Sequence, residues 1–291
     1  MKALLIVNLL KIHAVDCTKR VIEILTNNKI ECLIDESLSD KFDGCDVRFG
    51  KTTEMISECT YVFAIGGDGT IIHTSKLACN YDKELVGINV GRLGFLAALE
   101  KDQLCLLSKL SAKEYDLEHR MMIKVTVARK NGDTVSVNAL NEVVISRRGI
   151  SKMIELDVNC DGTFVNRYRA DGIICCTPTG STAYSLSAGG PIVSPAIDSI
   201  ILTPICPHSL FGRPIVFPPN AEIKIDLLDT EPTFNKIEHG FLTVDGTETI
   251  GLSGEDTIFI TRSPQKIKLV NFTKGQFYEV LNEKMMNRFR G

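Results

Sequence analysis

Residues 61 to 70 constrain the fold of this chain more than any other stretch. An apolar run from Tyr61 to Ile65 predicts a buried strand, and it ends abruptly in Gly66-Gly67-Asp68-Gly69-Thr70. The residues that follow suit a helix. A strand that passes through a glycine turn into a helix directs backbone N–H groups at one point, where an anion can bind. A carboxylate at such a point is electrostatically costly, so we expect Asp68 to have a function.

The chain changes character near residue 117. Up to that point short apolar strands alternate with helical segments, which indicates βαβ units and a mainly parallel sheet. Val15 to Leu25 and Leu99 to Leu110 are predicted to be helices of this α/β domain. A second glycine turn, Gly91-Arg92-Leu93-Gly94, follows the predicted strand Leu85 to Asn89.

From residue 118 onward strands dominate, with turns at short intervals, which is typical of an antiparallel β-rich domain. Asn131-Gly132-Asp133 and Asp161-Gly162 predict hairpins. One strand is predicted from Val135 to Ile145. Two separate strands are predicted at Thr257 to Thr261 and Lys266 to Val270.

Composition excludes several classes of protein. A net charge of −3 provides no broad positive field, so nucleic acid is not an expected partner. No apolar run approaches the roughly 20 residues of a membrane span, so no membrane association is expected either. The ten cysteines form no C-x-x-C pair and no zinc-type spacing. They favour reduced thiols in a cytoplasmic protein, without a structural metal.

Two further clusters are candidate binding elements. The polar pair Asn141-Glu142 interrupts a strand pattern, as a ligand contact or as a β-bulge or edge position. The run from Arg169 to Gly190 is dense in hydroxyls and glycine, and it embeds Tyr184, which offers a stacking face. It is either a ligand cradle or a solvated loop, and the glycine turn at Gly66 could likewise be only a tight structural turn.

Taken together, these motifs resemble those of the NAD kinase family, over residues 60 to 190 and in the order of that family. They are Gly66-Gly67-Asp68-Gly69-Thr70, Asn89-Val90-Gly91-Arg92-Leu93-Gly94-Phe95-Leu96, Asn141-Glu142, and Asp171 with Thr177-Pro178-Thr179-Gly180-Ser181-Thr182-Ala183-Tyr184. The resemblance implies transfer of the terminal phosphoryl group of ATP, or of polyphosphate, to the 2′-hydroxyl of the adenosine ribose of NAD. It also implies a Rossmann-like α/β domain at residues 1–117, a β-rich, sandwich-like domain at 118–265, and a C-terminal tail at 266–291 that packs back on the first domain.

The same resemblance implies roles for individual residues. Asp68 would accept the proton of the 2′-hydroxyl, beside Gly69. His73, placed in the first turn of the helix, would lie near the phosphates; the alternative is that it is only a surface histidine of the helix. Gly66, Gly67, Gly69 and Thr70 would form the turn that meets the phosphate donor. Asn141 and Glu142 would hydrogen-bond NAD. The adenosine part would be enclosed by Arg169, Asp171, Thr182, Ala183, Tyr184, Ser185, Leu186 and Ser187, with Tyr184 packed on adenine.

A divalent cation, Mg²⁺, is expected to offset the phosphate charge, held by phosphate oxygens and water rather than by a protein metal site. The resemblance also implies a homotetramer or homodimer. Thr247 stands where the family frequently has glutamine, so the resemblance assigns no ligand contact to this residue. Two other functions stay open at this stage: a diacylglycerol-type lipid kinase, which shares the Gly-Gly-Asp-Gly turn, and a non-catalytic NAD sensor.

Overall fold

The computed structural model describes residues 1–91, 94–149, 152–209, 212–228, 240–273 and 276–287. The chain divides into two compact units. Unit 1 comprises Met1–His119 and the described part of Ile267–Gly291, and unit 2 comprises Arg120–Lys266. Unit 1 is therefore built from two separate stretches of sequence.

A parallel sheet lies at the centre of unit 1. Its elements are β1 (Lys2–Val7), α1 (Ala14–Asn27), β2 (Glu31–Asp35), β3 (Val47–Gly50), α2 (Thr52–Met55), β4 (Tyr61–Gly66), α3 (Asp68–Asn80), β5 (Glu84–Asn89), β6 (Leu99–Glu100), α4 (Lys109–Ala112) and the C-terminal α6 (Gln276–Asn287), with 3₁₀ turns at Glu36–Lys41, Ile56–Glu58 and Leu104–Ser108. The strand order is β3-β2-β1-β4-β5, all parallel, and the end of a long strand, β18 (Thr257–Asn271), lies parallel beside β5.

The central strand β4 is buried along its whole length, as expected for a parallel strand inside an α/β sheet. Helix α1 buries Ala14, Cys17, Val21 and Leu25, which recur every three or four residues and so share one face. Because the strands are parallel, the loops after β1, β4 and β5 leave the sheet at the same edge. That edge carries both glycine turns.

Unit 2 consists of antiparallel strands in two sheets. Its elements are β7 (Asp116–Ala128), β8 (Thr134–Ala139), β9 (Glu142–Arg147), β10 (Ile154–Cys160), β11 (Thr163–Ala170), β12 (Gly172–Cys176), a 3₁₀ turn (Thr179–Thr182), α5 (Tyr184–Ser187), β13 (Ile200–Ile205), β14 (Ile215–Phe217), β15 (Ile223–Leu228), β16 (Gly240–Val244), β17 (Glu248–Leu252) and the first part of β18. One sheet runs β11-β10-β15-β18, with β7 paired to β18 and β8, and the other runs β14-β13-β12-β9-β16-β17.

Both sheets of unit 2 contribute to one core. Leu156 and Ile225 come from the first sheet, and Ile173 and Leu242 from the second, and all four are fully buried in the same cluster. Unit 2 is therefore a β-sandwich. The predicted fold class, a parallel α/β part followed by an antiparallel β-rich part, is confirmed.

Three predicted elements were wrong in detail. Leu99 to Leu110 is not one helix, because Leu99–Glu100 pairs with β5 and Leu104–Ser108 is a 3₁₀ turn before the short α4. The predicted strand from Val135 to Ile145 is two strands, which belong to different sheets. The two strands predicted after residue 256 are the single strand β18, which continues through the exposed Pro264.

Burial distinguishes the cysteines from one another. All ten are free thiols, and Cys17, Cys32, Cys59, Cys175 and Cys176 are buried. Burial raises the pKa of the Cys176 thiol to about 12, so this thiol stays protonated at neutral pH.

Among the helices of the described residues, none combines the length and the apolar character that crossing a bilayer requires.

Candidate active site

The first glycine turn joins β4 to α3 at the carboxyl edge of the parallel sheet. A Cβ on Gly66 would lie 2.2 Å from Thr70 Oγ1, so only glycine fits there without displacing the threonine. Above Gly69 the space is open, because a Cβ at that residue would meet no atom within 4 Å. The N-terminus of α3 therefore meets solvent through an unobstructed backbone, as a phosphate-binding turn requires.

Asp68 is the first residue of α3, and its carboxylate is held by the second glycine turn. Its Oδ2 accepts the N–H of Phe95 at 3.1 Å, and its Oδ1 accepts the N–H of Leu96 at 3.3 Å. A Cβ on Gly94 would lie 2.1 Å from Asp68 Oδ1. The glycine is therefore needed for this close approach, and the two turns fix the carboxylate in one orientation.

The C-terminal helix α6 packs on the same loop. Phe277 lies 6.0 Å from Phe95 between ring centroids, and Lys284 Nζ lies 4.1 Å from the centre of the Phe95 ring. Since the N–H of Phe95 binds Asp68, α6 supports the loop that orients this carboxylate.

A second carboxyl group lies near Asp68. Asn89 Nδ2 donates to both carboxylate oxygens of Glu100 at 3.0 Å, and Asn89 Oδ1 accepts the N–H of Gly91 at 3.1 Å. Burial raises the pKa of Glu100, and the charges of Asp102, Glu283 and Asp68 raise it further, against the Asn89 hydrogen bond. The carboxyl edge of the parallel sheet therefore already carries negative charge. A phosphate bound there needs a cation to offset the repulsion.

Lys11 is one such cation, and the sequence did not assign it a role. It lies in the loop after β1, where its Nζ is 3.9 Å from a Cβ placed on Gly91 and its Cε is 3.9 Å from one placed on Gly67. Asn8 of the same loop donates to Thr70 Oγ1 at 3.0 Å. The parallel order β1-β4-β5 was the available signal, because it brings these three loops to one edge.

His73 does not lie where the sequence placed it. Because α3 begins at Asp68, His73 is the sixth residue of the helix and belongs to its second turn. Its side chain is exposed. The structure therefore corrects the position of His73 to the second turn, where it is an exposed helix residue, and its contact with phosphate stays a prediction.

In unit 2, Asn141 and Glu142 stand where the chain enters β9. This strand lies between β12 and β16 in the interior of its sheet, so the alternative of an edge position is wrong. Both residues are only 8% exposed. Asn141 Oδ1 and Glu142 Oε2 are nonetheless buried without a hydrogen-bond partner. Such orphaned oxygens are rare in proteins and point to donors that a ligand supplies.

The environment of Glu142 changes its protonation. Burial raises the pKa of its carboxyl to about 7, the nearby charge of Asp245 adds to this effect, and a hydrogen bond from the backbone N–H of Tyr184 opposes it. A glutamate that titrates near neutral pH is typical of functional sites.

The hydroxyl-rich segment that follows β12 packs against the turn at residues 140 to 142 and hydrogen-bonds to it. Thr177 Oγ1 donates to the carbonyl of Leu140 at 2.6 Å, and the Thr177 N–H donates to the carbonyl of Asn141 at 2.8 Å. A Cβ on Gly180 would lie 2.1 Å from that same Asn141 oxygen. The run is therefore packed structure next to Asn141 rather than a loose solvated loop.

Residues 182 to 187 divide into exposed and buried members. Tyr184 is 45% exposed, Ser187 is exposed, and Thr182, Ala183 and Leu186 are partly exposed, so all five can meet a ligand. Ser185 is fully buried and its hydroxyl pairs with Thr203 Oγ1 at 2.8 Å. The predicted site is therefore corrected at Ser185: its side chain is buried and bonded to Thr203, so it does not face a ligand.

Arg169 and Asp171 lie at the other end of β12. Gly172 pairs with Ser146 and Cys176 pairs with Glu142, so Asp171 is about 15 Å or more from Glu142 along the strands. Asp171 is paired with Arg147 at 3.0 Å, and the exposed Arg169 lies 3.9 Å from Glu155. One chain does not bring these two residues to Asn141-Glu142. Thr247, at the turn after β16, is exposed.

Comparisons with known proteins agree with this architecture. Residues 3–115 match the family model of the ATP-NAD kinase N-terminal domain, and residues 140–272 match that of the C-terminal domain. An NAD kinase of Thermoanaerobacter sp. (strain X514) is 34% identical over 97% of both chains, and one of Lachnoclostridium phytofermentans is 41% identical over 78% of this chain and 79% of its own.

Two solved structures are similar in fold. Yeast NADH kinase complexed with NADH has a TM-score of 0.87 at 24% identity and covers 97% of this chain and 86% of its own. An NAD kinase from Archaeoglobus fulgidus in complex with ATP has a TM-score of 0.74 at 26% identity and covers 98% of both chains. At 24% identity, the similarity to the yeast structure is evidence for the fold alone.

A glycine turn that presents a fixed carboxylate, on an α/β unit followed by a β-sandwich, defines a phosphotransferase of the Gly-Gly-Asp-Gly class. The two family models together cover most of the chain. The chain belongs to the NAD kinase family, and it is an enzyme that phosphorylates NAD. These matches lend no support to a lipid kinase or a non-catalytic sensor.

Proposed function

We propose that Asn141 and Glu142 bind NAD and that Asp68 acts on the 2′-hydroxyl of its adenosine ribose, to which the terminal phosphoryl group of ATP is transferred. The observation that carries this proposal is the pair of buried oxygens, Asn141 Oδ1 and Glu142 Oε2, without partners. An ionised Glu142 can accept two hydroxyl donors, which suits a ribose.

Asp68 is suited to orienting a hydroxyl rather than to removing its proton early. Phosphoryl transfer passes through a loose transition state, so positioning and charge neutralisation contribute more than a strong base. The hydrogen bonds from Phe95 and Leu96 support this role, since they fix the carboxylate before substrate arrives. Asp68 then takes the proton as the new P–O bond forms.

The phosphate donor is proposed to lie on the turn of Gly66, Gly67, Gly69 and Thr70, with Lys11 as the protein cation. In the described residues no group of three or more metal-ligating side chains occurs. The free lone pairs of Asp68, a hard oxygen donor at the turn, fit a cation held mainly by phosphate oxygens and water. When bound, Mg²⁺ neutralises charge that develops on the transferred phosphoryl group.

The domain boundaries proposed from the sequence fit these roles. Residues 1–117 carry the phosphate turn, 118–265 carry the NAD-binding turn, and the tail 266–291 belongs with the first domain. The grouping of Ile267–Gly291 with Met1–His119 supports this division. We also propose that the enzyme is located in the cytoplasm, because ten free thiols are typical of a protein in a reducing compartment.

One assay tests the central proposal. The purified protein is incubated with ATP, Mg²⁺ and NAD, and NADP is measured with an NADP-specific dehydrogenase. We expect NADP to form, to be lost with EDTA, and to return when Mg²⁺ is added in excess. Parallel arms with polyphosphate in place of ATP identify the donor. Phosphorylation of NAD at another hydroxyl, seen as product that the dehydrogenase cannot use, would contradict the proposed role of Asp68.

Replacing Tyr184 by alanine is expected to raise KM for NAD about tenfold, with kcat changed less than threefold. An aromatic ring that is 45% exposed beside small residues supports a stacking role against adenine, worth about 1–3 kcal/mol per base. The measurement is steady-state kinetics at saturating ATP. Tyr184→Phe is the matched control, because it keeps the ring. An unchanged KM in the alanine variant would assign Tyr184 to another role.

We also propose that Arg169 and Asp171 complete the NAD site of a second copy in a homodimer or homotetramer. Their distance from Asn141-Glu142 within one chain supports this arrangement. Mixing Asp171→Ala with Glu142→Gln, each impaired alone, is then expected to recover up to about a quarter of wild-type activity, because each hybrid dimer has one intact site. Failure to recover activity, with exchange of subunits shown by mass spectrometry, would place Asp171 outside the site.

A further inference from the structure

The turn that carries Asn141 and Glu142 is held by a carboxylate from another strand pair. Asp245 Oδ1 accepts the N–H of Asn141 at 2.8 Å and that of Glu142 at 3.2 Å, and Asp245 Oδ2 accepts the N–H of Leu140 at 3.1 Å. In return, the Asp245 N–H donates to the carbonyl of Glu142 at 2.9 Å. Asp245 is only 8% exposed. Four hydrogen bonds therefore join this one residue to the turn.

The backbone around Asp245 explains how it reaches this position. Strand β16 pairs with β9 so that Val244 lies opposite Val143, which places the next residue opposite the start of β9. There the chain reverses into β17, with φ of 48° at Asp245 and 69° at Gly246. Aspartate tolerates this left-handed conformation better than most residues. The turn thus aims a short carboxylate at three N–H groups that no neighbouring strand receives.

We propose that Asp245 is a positioning residue for NAD: it fixes the backbone that presents Asn141 and Glu142 to the ligand. This inference rests on the proposed NAD-binding role of that pair. A backbone turn with three N–H groups bound to one carboxylate has little freedom, so the two orphaned oxygens are pre-organised for the ligand.

The charge of Asp245 adds a second effect. Near Glu142 the described groups that matter are the Asp245 carboxylate, the neutral thiol of Cys176, its paired residue on β12, and the backbone N–H of Tyr184. Burial is the largest cause of the raised pKa of Glu142, and Asp245 is the charged neighbour that raises it further. Removing that charge should therefore favour the ionised, ligand-accepting form of Glu142 at lower pH.

The test is the pH dependence of kcat/KM for NAD in Asp245→Asn. In the wild type, kcat/KM is expected to rise with pH and to level off above a midpoint near pH 7, as Glu142 ionises in the free enzyme. In the variant the midpoint should fall by about 0.5 to 1 pH unit. KM at pH 8 should nevertheless rise about 5- to 20-fold, because the asparagine amide cannot accept all three N–H groups. We expect kcat to change less than threefold.

Asp256→Asn is the matched control. Asp256 is another buried carboxylate of unit 2, 1% exposed, which pairs with Arg129 and accepts the N–H of Ser253 at 2.8 Å. Its loss should lower stability without moving the midpoint. If Asp245→Asn does not fold, Asp245→Ser, which keeps a small acceptor without charge, is measured in its place.

The outcomes separate this inference from the proposed function. If kcat/KM for NAD still falls below about pH 7 in Glu142→Gln, the assignment of Glu142 to NAD is overturned. If this fall disappears in Glu142→Gln, but its midpoint in Asp245→Asn is the same as in the wild type, only the role of Asp245 is overturned. A lowered midpoint with a raised KM, seen in Asp245→Asn and not in Asp256→Asn, would support it.

Discussion

Replacing Asp68 by asparagine is expected to lower kcat by about 1,000-fold, while KM for NAD changes by no more than about threefold. The carboxylate stands at the first residue of α3, and both of its oxygens are already fixed by the N–H groups of Phe95 and Leu96. An amide at this place can still accept from one of them, so the loop should survive. It cannot accept the proton of the ribose hydroxyl, and phosphoryl transfer should therefore stall.

Single-turnover kinetics with saturating ATP and NAD measure this loss directly. Asp16→Asn is the matched control, because Asp16 is the acidic residue in the first turn of α1, another helix of unit 1, and its side chain is exposed. Its kcat should stay within twofold of wild type. If Asp68→Asn turned over at a near-normal rate, with the melting temperature of the wild type, Asp68 would not be the catalytic carboxylate.

Replacing Glu142 by glutamine is expected to stabilise the NAD-free protein at pH 8 by about 3 kcal/mol, although it weakens NAD binding about 10- to 100-fold. The pKa of Glu142 is raised from 4.5 to about 7 in the folded state. A raised pKa contributes stability that is fully present below pH 4.5 and is lost as pH rises through 7. At pH 8 the wild type therefore carries the cost of a buried charge, which glutamine does not.

Thermal melts without NAD test this prediction. The variant should melt several degrees above wild type at pH 8, and the difference should shrink as pH falls towards 5. Glu222→Gln, an exposed carboxylate of unit 2, should show no such pH-dependent difference. A difference for Glu142→Gln that is constant from pH 5 to 8 would show that Glu142 is not a buried titrating group.

The alternation of apolar strands with helices was enough to predict the class of fold, because burial of strands and of helix faces imposes periods that the sequence displays. Individual helices and strands were predicted wrongly where the local sequence pattern does not agree with the pairing of strands in the folded protein. Leu104 and Leu107, which are buried at a spacing of three, lie in the 3₁₀ turn Leu104–Ser108 instead of in the single α-helix predicted there. The strand at Ile200–Ile205 was not predicted at all.

The predicted strand through Leu140 failed for a reason that concerns the site. Three N–H groups at residues 140 to 142 are bound by Asp245 instead of by a neighbouring strand, so the strand cannot continue. Motif reasoning singled out Asp68, Asn141 and Glu142 as candidate site residues because their local patterns are distinctive. It could not assign a role to Asp245, since that role depends on strand register more than a hundred residues away along the chain.

The sequence order of unit 1 has a consequence for the newly made chain. The glycine turn and Asp68 leave the ribosome before any strand of the β-sandwich, whereas the end of β18 and helix α6 follow the whole of unit 2. Phe277 and Lys284, which pack on the loop that orients Asp68, belong to that later segment. A nascent chain can therefore complete its second unit first, and it acquires its full catalytic edge only after the sandwich has been synthesised.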